Sequence, residues 1–223
     1  TPKPSSAASD VYKRQAGEPL IMDAGVDEDA QTVRRIAKAS APLEAIRQKI
    51  VAHVGAEMIV GGCRARECEM GVLIADAMLE SVKSQGVQIA IQNGGGIRAS
   101  LDTGEVTMGE ILTILPFQNT LSTFRVSGAT LLAALENGVS QVEEGAGCVP
   151  QVAGLTYAFD PAGTVGKRIS DVRVLHSGRA VPLDPVKLYS VVSNNYLRNG
   201  GDGCKMFLSL IHISEPTRRY AIS

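Results

Sequence analysis

Apolar residues recur at Val33, Ile36, Leu43, Ile46, Ile50 and Val54 within the run DEDAQTVRRIAKASAPLEAIRQKIVAHV. That spacing predicts helix across 27–54, with Pro42 marking a kink or a break between two helices. AEMIVGG then reads as a short strand, and residues 69–85 as an amphipathic helix ending near Gly86. The apolar GVQIAIQN predicts a buried strand, and VTMGEILTILP a short helix capped around Thr107. TLSTFRVSGATLLAALENGVSQ divides into a strand, a tight turn at Gly128 and a helix from about 129 to 141. LTYAFD, ISDVRVLH and KLYSVVSNN supply later strands, separated by Pro- and Gly-rich turns. Phe124 and Phe159 lie inside strand patterns and are assigned to the core. The elements interleave irregularly, which predicts an α+β fold, a mixed sheet with packed helices, rather than a βαβ repeat.

Four polar or Gly-rich segments interrupt this pattern. NYLRNGGDG (195–203) follows a strand-like stretch and combines Tyr196, Asp202, Gly200, Gly201 and Gly203. Glycines at that density allow positive φ and a close approach of backbone to a ligand, although a Gly-rich run after a strand also reads simply as a turn. An aromatic face and an isolated carboxylate suit a nucleoside, one stacking the base and the other accepting from sugar hydroxyls. IQNGGGIR (91–98) places Asn93, Gly94, Gly95 and Gly96 after an apolar strand and ends in Arg98. LPFQNT (115–120) sets Phe117 behind Pro116, a more exposed position than a core phenylalanine prefers. CRAREC (63–68) sets Arg64 and Arg66 between Cys63 and Cys68, and arginines beside helix starts suit bidentate phosphate binding. The Gly94–Gly96 triplet lacks the G-x-x-x-x-G-K-[ST] and G-x-G-x-x-G contexts, so it reads as close backbone approach rather than a phosphate loop.

NGGGIR, LPFQNT, CRAREC…GVLIADAM and NYLRNGGDG, in this chain order, resemble the C-terminal substrate-binding domain of the 5′-nucleotidase family. The resemblance runs from about Leu20 to Phe207. It implies a base held between Phe117 and Tyr196, with tyrosine in place of the commoner phenylalanine. It also implies that Asp202 binds the ribose, that Asn93 contacts the base edge, and that Arg64 and Arg98 face the phosphate and ribose. Gly94–Gly96 and Gly200, Gly201 and Gly203 would form the pocket backbone. Arg66 is left to solvent or to Glu67 and Glu69. Cys204 stands where the family usually carries an aromatic, which puts the packing under that loop in question. A short-range Cys63–Cys68 disulfide is implied too, and with it a periplasmic, extracellular or cell-surface location.

The ends read differently. SSAASDVYKRQ (5–15) and LSLIHISEPTR (208–218) resemble in-frame translations of sequencing-library adapters, with 1–4 and 219–223 as flanking read-through. The expected organisation is thus 1–15 adapter-derived, 16–55 a connector helix region, 56–207 the substrate-binding domain and 208–223 adapter-derived. A net charge of −1 and a 44% hydrophobic share describe an ordinary soluble globular chain without the basic excess of a nucleic-acid or membrane binder. No apolar run reaches membrane-spanning length. Zinc is a competing use for the four cysteines, but no C-x-x-C pair exists, and only His53 and His176 lie outside the adapter-like ends.

Family members hydrolyse phosphate esters at a two-metal centre in an N-terminal metallophosphatase domain. No D-x-H, N-H-E or G-H-x-H motif occurs here, so no metal site or cofactor is expected in this stretch. Two divalent ions and that domain, in cis, are implied for the intact enzyme, with this stretch inactive alone. The expected ligand is a nucleotide or nucleoside. UDP-sugar hydrolysis, 2′,3′-cyclic-nucleotide phosphodiesterase or 3′-nucleotidase activity, and sulfur-oxidation thiohydrolysis are the rival enzymatic readings, the aromatic pair opposing the last. A stand-alone nucleoside-binding module is the non-enzymatic one.

Overall fold

Ile89, Ile91, Tyr189 and Val191 point to one side of a sheet, while Ala90 and Val192 point to the other, and all six are buried. This period-2 alternation with apolar residues on both faces marks strands covered above and below. A computed structural model describes residues 25–208 of the chain apart from Ser177. The adapter-like ends, except Leu208, lie outside the described residues. The chain divides into two units, Thr1–Ala45 and Ile46–Ser223.

Most of helix α1 (Ala30–Arg47) belongs to the first unit, and it starts where the Asp29 carboxylate accepts the Thr32 N–H at 2.7 Å. The Thr32 side chain first, and then this N–H, hold the Asp29 carboxyl below its ordinary range by hydrogen bonding. Pro42 sits inside α1, so the proline leaves one helix rather than two. No residue of α1 is buried. The helix expected to reach residue 54 stops at Arg47, and Ile50–Val54 forms strand β1. Its β-branched Ile50, Val51 and Val54 favour extended backbone, and a partner strand, β3 (Gly104–Thr107), pairs antiparallel with it.

The second unit is built on a four-stranded sheet in the order β4–β9–β2–β5. Here β2 is Ile89–Asn93, β4 Leu121–Ser127, β5 Pro150–Ala153 and β9 Leu188–Asn194. Strands β2 and β9 run parallel, whereas β4 and β5 flank them antiparallel. The register sets Asn93 opposite Pro150 and Asn194 opposite Leu121. The carboxyl ends of both central strands therefore open at one rim, beside the start of β4 and of β5. Helix α2 (Glu69–Ser81) covers one face with Met70, Ile74, Ala75 and Met78. Leu131 and Leu135 of helix α4 (Gly128–Gly138) join the cluster on the other. The same cluster takes Leu155 and Val174 from an antiparallel sheet of β6 (Leu155–Phe159), β7 (Ile169–His176) and β8 (Arg179–Pro182).

Helix α3 (Met108–Ile114) opens with a capping box in which Thr107 and Glu110 exchange backbone and side-chain bonds, as its sequence predicts. Other boundaries differ. AEMIVGG forms only an isolated bridge, Met58 to Leu101, because Val60 N–H turns to the Ser100 hydroxyl. Helix α2 ends at Ser81, and the expected remainder is the 3₁₀ turn Lys83–Gln85 closed by Gly86 at φ 70°. Helix α4 follows β4 without an intervening turn because Ser127 caps it by accepting the Thr130 N–H. Phe159 is half-buried, stacked beside Tyr157 with centroids 6.2 Å apart, rather than in the core.

Candidate functional site

At the rim where β2 and β9 end, three buried amides form a chain. Asn194 Nδ2 donates to Gln92 Oε1 at 2.9 Å and to Asn93 Oδ1 at 3.0 Å. The Asn194 oxygen accepts the Leu197 N–H at 2.8 Å and so caps α5 (Asn195–Arg198). Asn93 Nδ2 in turn donates to Asp202 Oδ2 at 2.8 Å. Buried polar groups persist only when bonded to one another in this way. Asn93 lines the cavity, yet its amide spans Asn194 and Asp202, so its first role in this arrangement is to hold the carboxylate.

Asp202 occupies left-handed backbone at φ 50° between Gly201 and Gly203, a conformation Asp tolerates better than most residues. Asn137 Nδ2 donates to its carbonyl at 2.8 Å. The Tyr196 hydroxyl donates to Asp202 Oδ1 at 2.8 Å, which pushes the phenol above its ordinary pKa. A Cβ on Gly201 would stand 2.6 Å from the Tyr196 ring, so glycine there lets the ring lie flat on the loop.

The loop bearing Phe117 is tied to this one. Thr120 N–H donates to Asn195 Oδ1 at 2.9 Å, and Asn195 N–H donates back to the Thr120 carbonyl at 2.9 Å. Gln118 takes φ 50° beside Phe117, whose ring is 56% exposed. Phe117, Tyr196, Asp202, Asn93, Gly95, Gly96 and Arg64 line one cavity of about 420 Å³, together with Asn119 and Ala146. That volume suits a small organic ligand.

Arg98 stands at the rim rather than in the wall. Its guanidinium lies 5.9 Å from the Phe117 ring centroid and donates to the Gly95 carbonyl at 3.3 Å. Gly94, Gly200, Gly201 and Gly203 likewise shape the loops without lining the cavity. The Gly94 and Gly95 amides donate to the Val149 and Gly147 carbonyls, so neither is free to cradle phosphate.

Arg64 extends from the CRAREC turn and donates to the Gly145 carbonyl at 3.0 Å. A Cys63–Cys68 disulfide closes that turn, with Cα atoms 4.9 Å apart. Gln151, 1% exposed, secures it from beneath. The Gln151 amide donates to the Cys63 and Arg66 carbonyls and accepts the Cys68 N–H. Arg66 is exposed, and Glu69 accepts from the Ile59 N–H instead. Sequence reading missed Gln151, Asn137, Asn119 and Ala146. Asn119 sat in full view within LPFQNT, whereas no local signal marks the other three.

Beneath the Asp202 loop, Cys204 is buried in one apolar cluster with Phe207 and Phe124, whose rings lie 5.0 Å apart. Burial pushes the Cys204 thiol up to about 12. Cys148, half-buried, is also raised, first by burial and then by the Asp202 charge.

The family model of the 5′-nucleotidase C-terminal domain matches residues 45–209. The chain is 35% identical over 199 residues to the trifunctional nucleotide phosphoesterase protein YfkN of Bacillus subtilis (strain 168), covering 86% of this chain and 14% of that protein. It is 32% identical over 209 residues to the human 5′-nucleotidase, covering 85% of this chain and 36% of that protein. The crystal structure of the 5′-nucleotidase precursor from Thermus thermophilus superposes with TM-score 0.78 at 41% identity, covering 83% of this chain and 37% of that one. The chain thus spans well under half the length of these relatives. By sequence and by fold alike, it belongs to the 5′-nucleotidase C-terminal domain family.

Proposed function

We propose that this chain is the nucleoside-recognition part of a 5′-nucleotidase-type phosphohydrolase. The observation that carries the reading is one cavity walled by two exposed aromatic residues, Phe117 and Tyr196, with the Asp202 carboxylate in the same wall, bonded to the Tyr196 hydroxyl. A base stacked on one aromatic face gains about 1–3 kcal/mol. In this reading the carboxylate accepts from the sugar hydroxyls, and Arg64 in the cavity wall and Arg98 beside Phe117 are the cations available to phosphate and ribose. The names of the relatives, nucleotide phosphoesterase and 5′-nucleotidase, support a nucleotide as ligand.

Hydrolysis in this reading belongs to an N-terminal metallophosphatase domain in cis. Among the described residues no group of three or more His, Cys, Asp or Glu side chains is placed to hold a metal ion. In this reading the two divalent ions of the intact enzyme are held by that domain, and the residues described here bind and orient the nucleotide. A periplasmic, extracellular or cell-surface location is supported by the Cys63–Cys68 disulfide and by a snake-venom relative at 29% identity. No described helix is long and apolar enough to cross a membrane.

The test is calorimetry of the 223-residue chain with adenosine, beside a phosphate-release assay with AMP and Mn²⁺. Saturable binding without turnover is expected. Turnover overturns the division of labour, and absence of binding overturns the nucleoside site. Competition among AMP, 2′,3′-cyclic AMP and a UDP-sugar then ranks the substrate classes that share a nucleoside.

A further inference from the structure

Asp202 is held at its backbone and at both carboxylate oxygens. Its backbone sits at φ 50°, and its carbonyl is taken by Asn137. Asn93 Nδ2 donates to one carboxylate oxygen and the Tyr196 hydroxyl to the other, each at 2.8 Å. The Asp202 N–H donates back to the same hydroxyl at 3.3 Å, closing a ring between the two residues. The Tyr196 ring is itself seated on Gly201. An ionised carboxylate offers about four acceptor positions over its two oxygens. One position on each oxygen is filled from inside the protein, which leaves one on each oxygen for donors arriving from the cavity. Two adjacent acceptors of fixed spacing match two adjacent hydroxyl donors.

We propose that the Tyr196 hydroxyl is a latch that fixes the rotation of the Asp202 carboxylate so that it accepts from both hydroxyls of a vicinal cis-diol. Tyr196 is then a positioning residue for the sugar as well as a stacking face for the base. The inference rests on the nucleoside reading of this site. Without the phenol, Asn93 alone grips one oxygen, and the carboxylate swings about a terminal torsion that is intrinsically broad. Stacking is untouched by that change, because phenylalanine keeps the ring. Sugar recognition and base recognition thus separate in a single variant.

Binding of adenosine and of 2′,3′-dideoxyadenosine to the full chain, as wild type, Tyr196→Phe and Asp202→Asn, tests the latch. Asparagine is chosen because it tolerates left-handed backbone. Tyr196→Phe is expected to weaken adenosine about tenfold, the effect of about one lost hydrogen bond, and dideoxyadenosine less than about twofold. Equal weakening of both ligands, or no weakening of adenosine, overturns the latch and leaves the nucleoside site standing. Failure of the wild type to bind either ligand overturns the site, and the latch with it. A second readout is independent of ligand. The titration difference between wild type and Tyr196→Phe isolates this phenol, whose charged and titratable neighbours are Asp202 and Cys148, with Arg64 lining the same cavity. Asp202→Asn is expected to lower its midpoint, and an unmoved midpoint overturns the latch.

Discussion

The two Gly-rich loops of this molecule look alike on paper and use glycine for opposite reasons. In NGGGIR none of Gly94, Gly95 and Gly96 has positive φ. What they need is space, since a Cβ on Gly94 would stand 1.9 Å from the Cys63 carbonyl oxygen and one on Gly96 2.5 Å from the Gln92 amide. In NGGDG, Gly200 at φ 86° and Gly203 at φ 76° bracket Asp202 at 50°, so what they need is conformation. The first loop presses backbone against backbone to close the floor of the cavity. The second turns the chain over to lift a carboxylate into it.

Substitutions separate the two. Gly94→Ala has nowhere to put its methyl group except into backbone, and unfolding or a loss of several kcal/mol is expected in a thermal melt. Asp202→Ala keeps the fold but removes the acceptor and leaves the Asn93 donor unpaired. Adenosine affinity is expected to fall by about tenfold to a hundredfold, matching the roughly 1.5–3 kcal/mol of a hydrogen bond to a charged group, and Tm falls modestly as alanine takes the left-handed backbone at φ 50°. Gly203→Ala imposes left-handed backbone on an ordinary residue at roughly 1–2 kcal/mol and crowds the Asn137 oxygen, 2.8 Å away. Its melt shifts less than that of Gly94→Ala. The smallest effect concerns the cysteines behind the loops. Thiolate is the reactive form, so a raised pKa slows labelling. Cys204, buried and pushed up to about 12, should react with a disulfide reagent at about pH 8 more slowly than half-buried Cys148. Equal rates would mean that the second loop opens as readily as the first.

Strands such as GVQIAIQN and helices such as EMGVLIADAMLES are legible because each carries its own period of burial. β3, β5 and β8 are not, being four-residue pieces punctuated by Gly or Pro, and they become strands only because a neighbour offers a free edge. β1 misleads for a related reason. Its Ile50 and Val54 continue the spacing of α1, and pairing with β3 decides their conformation. At the site, Phe117, Tyr196, Asp202 and Arg64 announce themselves by residue type beside turns. The groups that steady them do not. Gln151 and Asn137 reach their partners across 83 to 88 and 65 residues of sequence, a distance over which no local pattern survives.

The reciprocal bonds between Thr120 and Asn195 carry a mechanical consequence. They continue, by one step past the rim, the ladder that pairs β4 with β9 from Ser127↔Leu188 to Leu121↔Asn194. Phe117 in its turn and Tyr196 in its short helix are therefore hung from adjoining strands of one sheet, like jaws of a caliper carried on a common beam. Such a gauge senses the thickness of what slides between its jaws and ignores its outline. Every nucleobase has the same thickness.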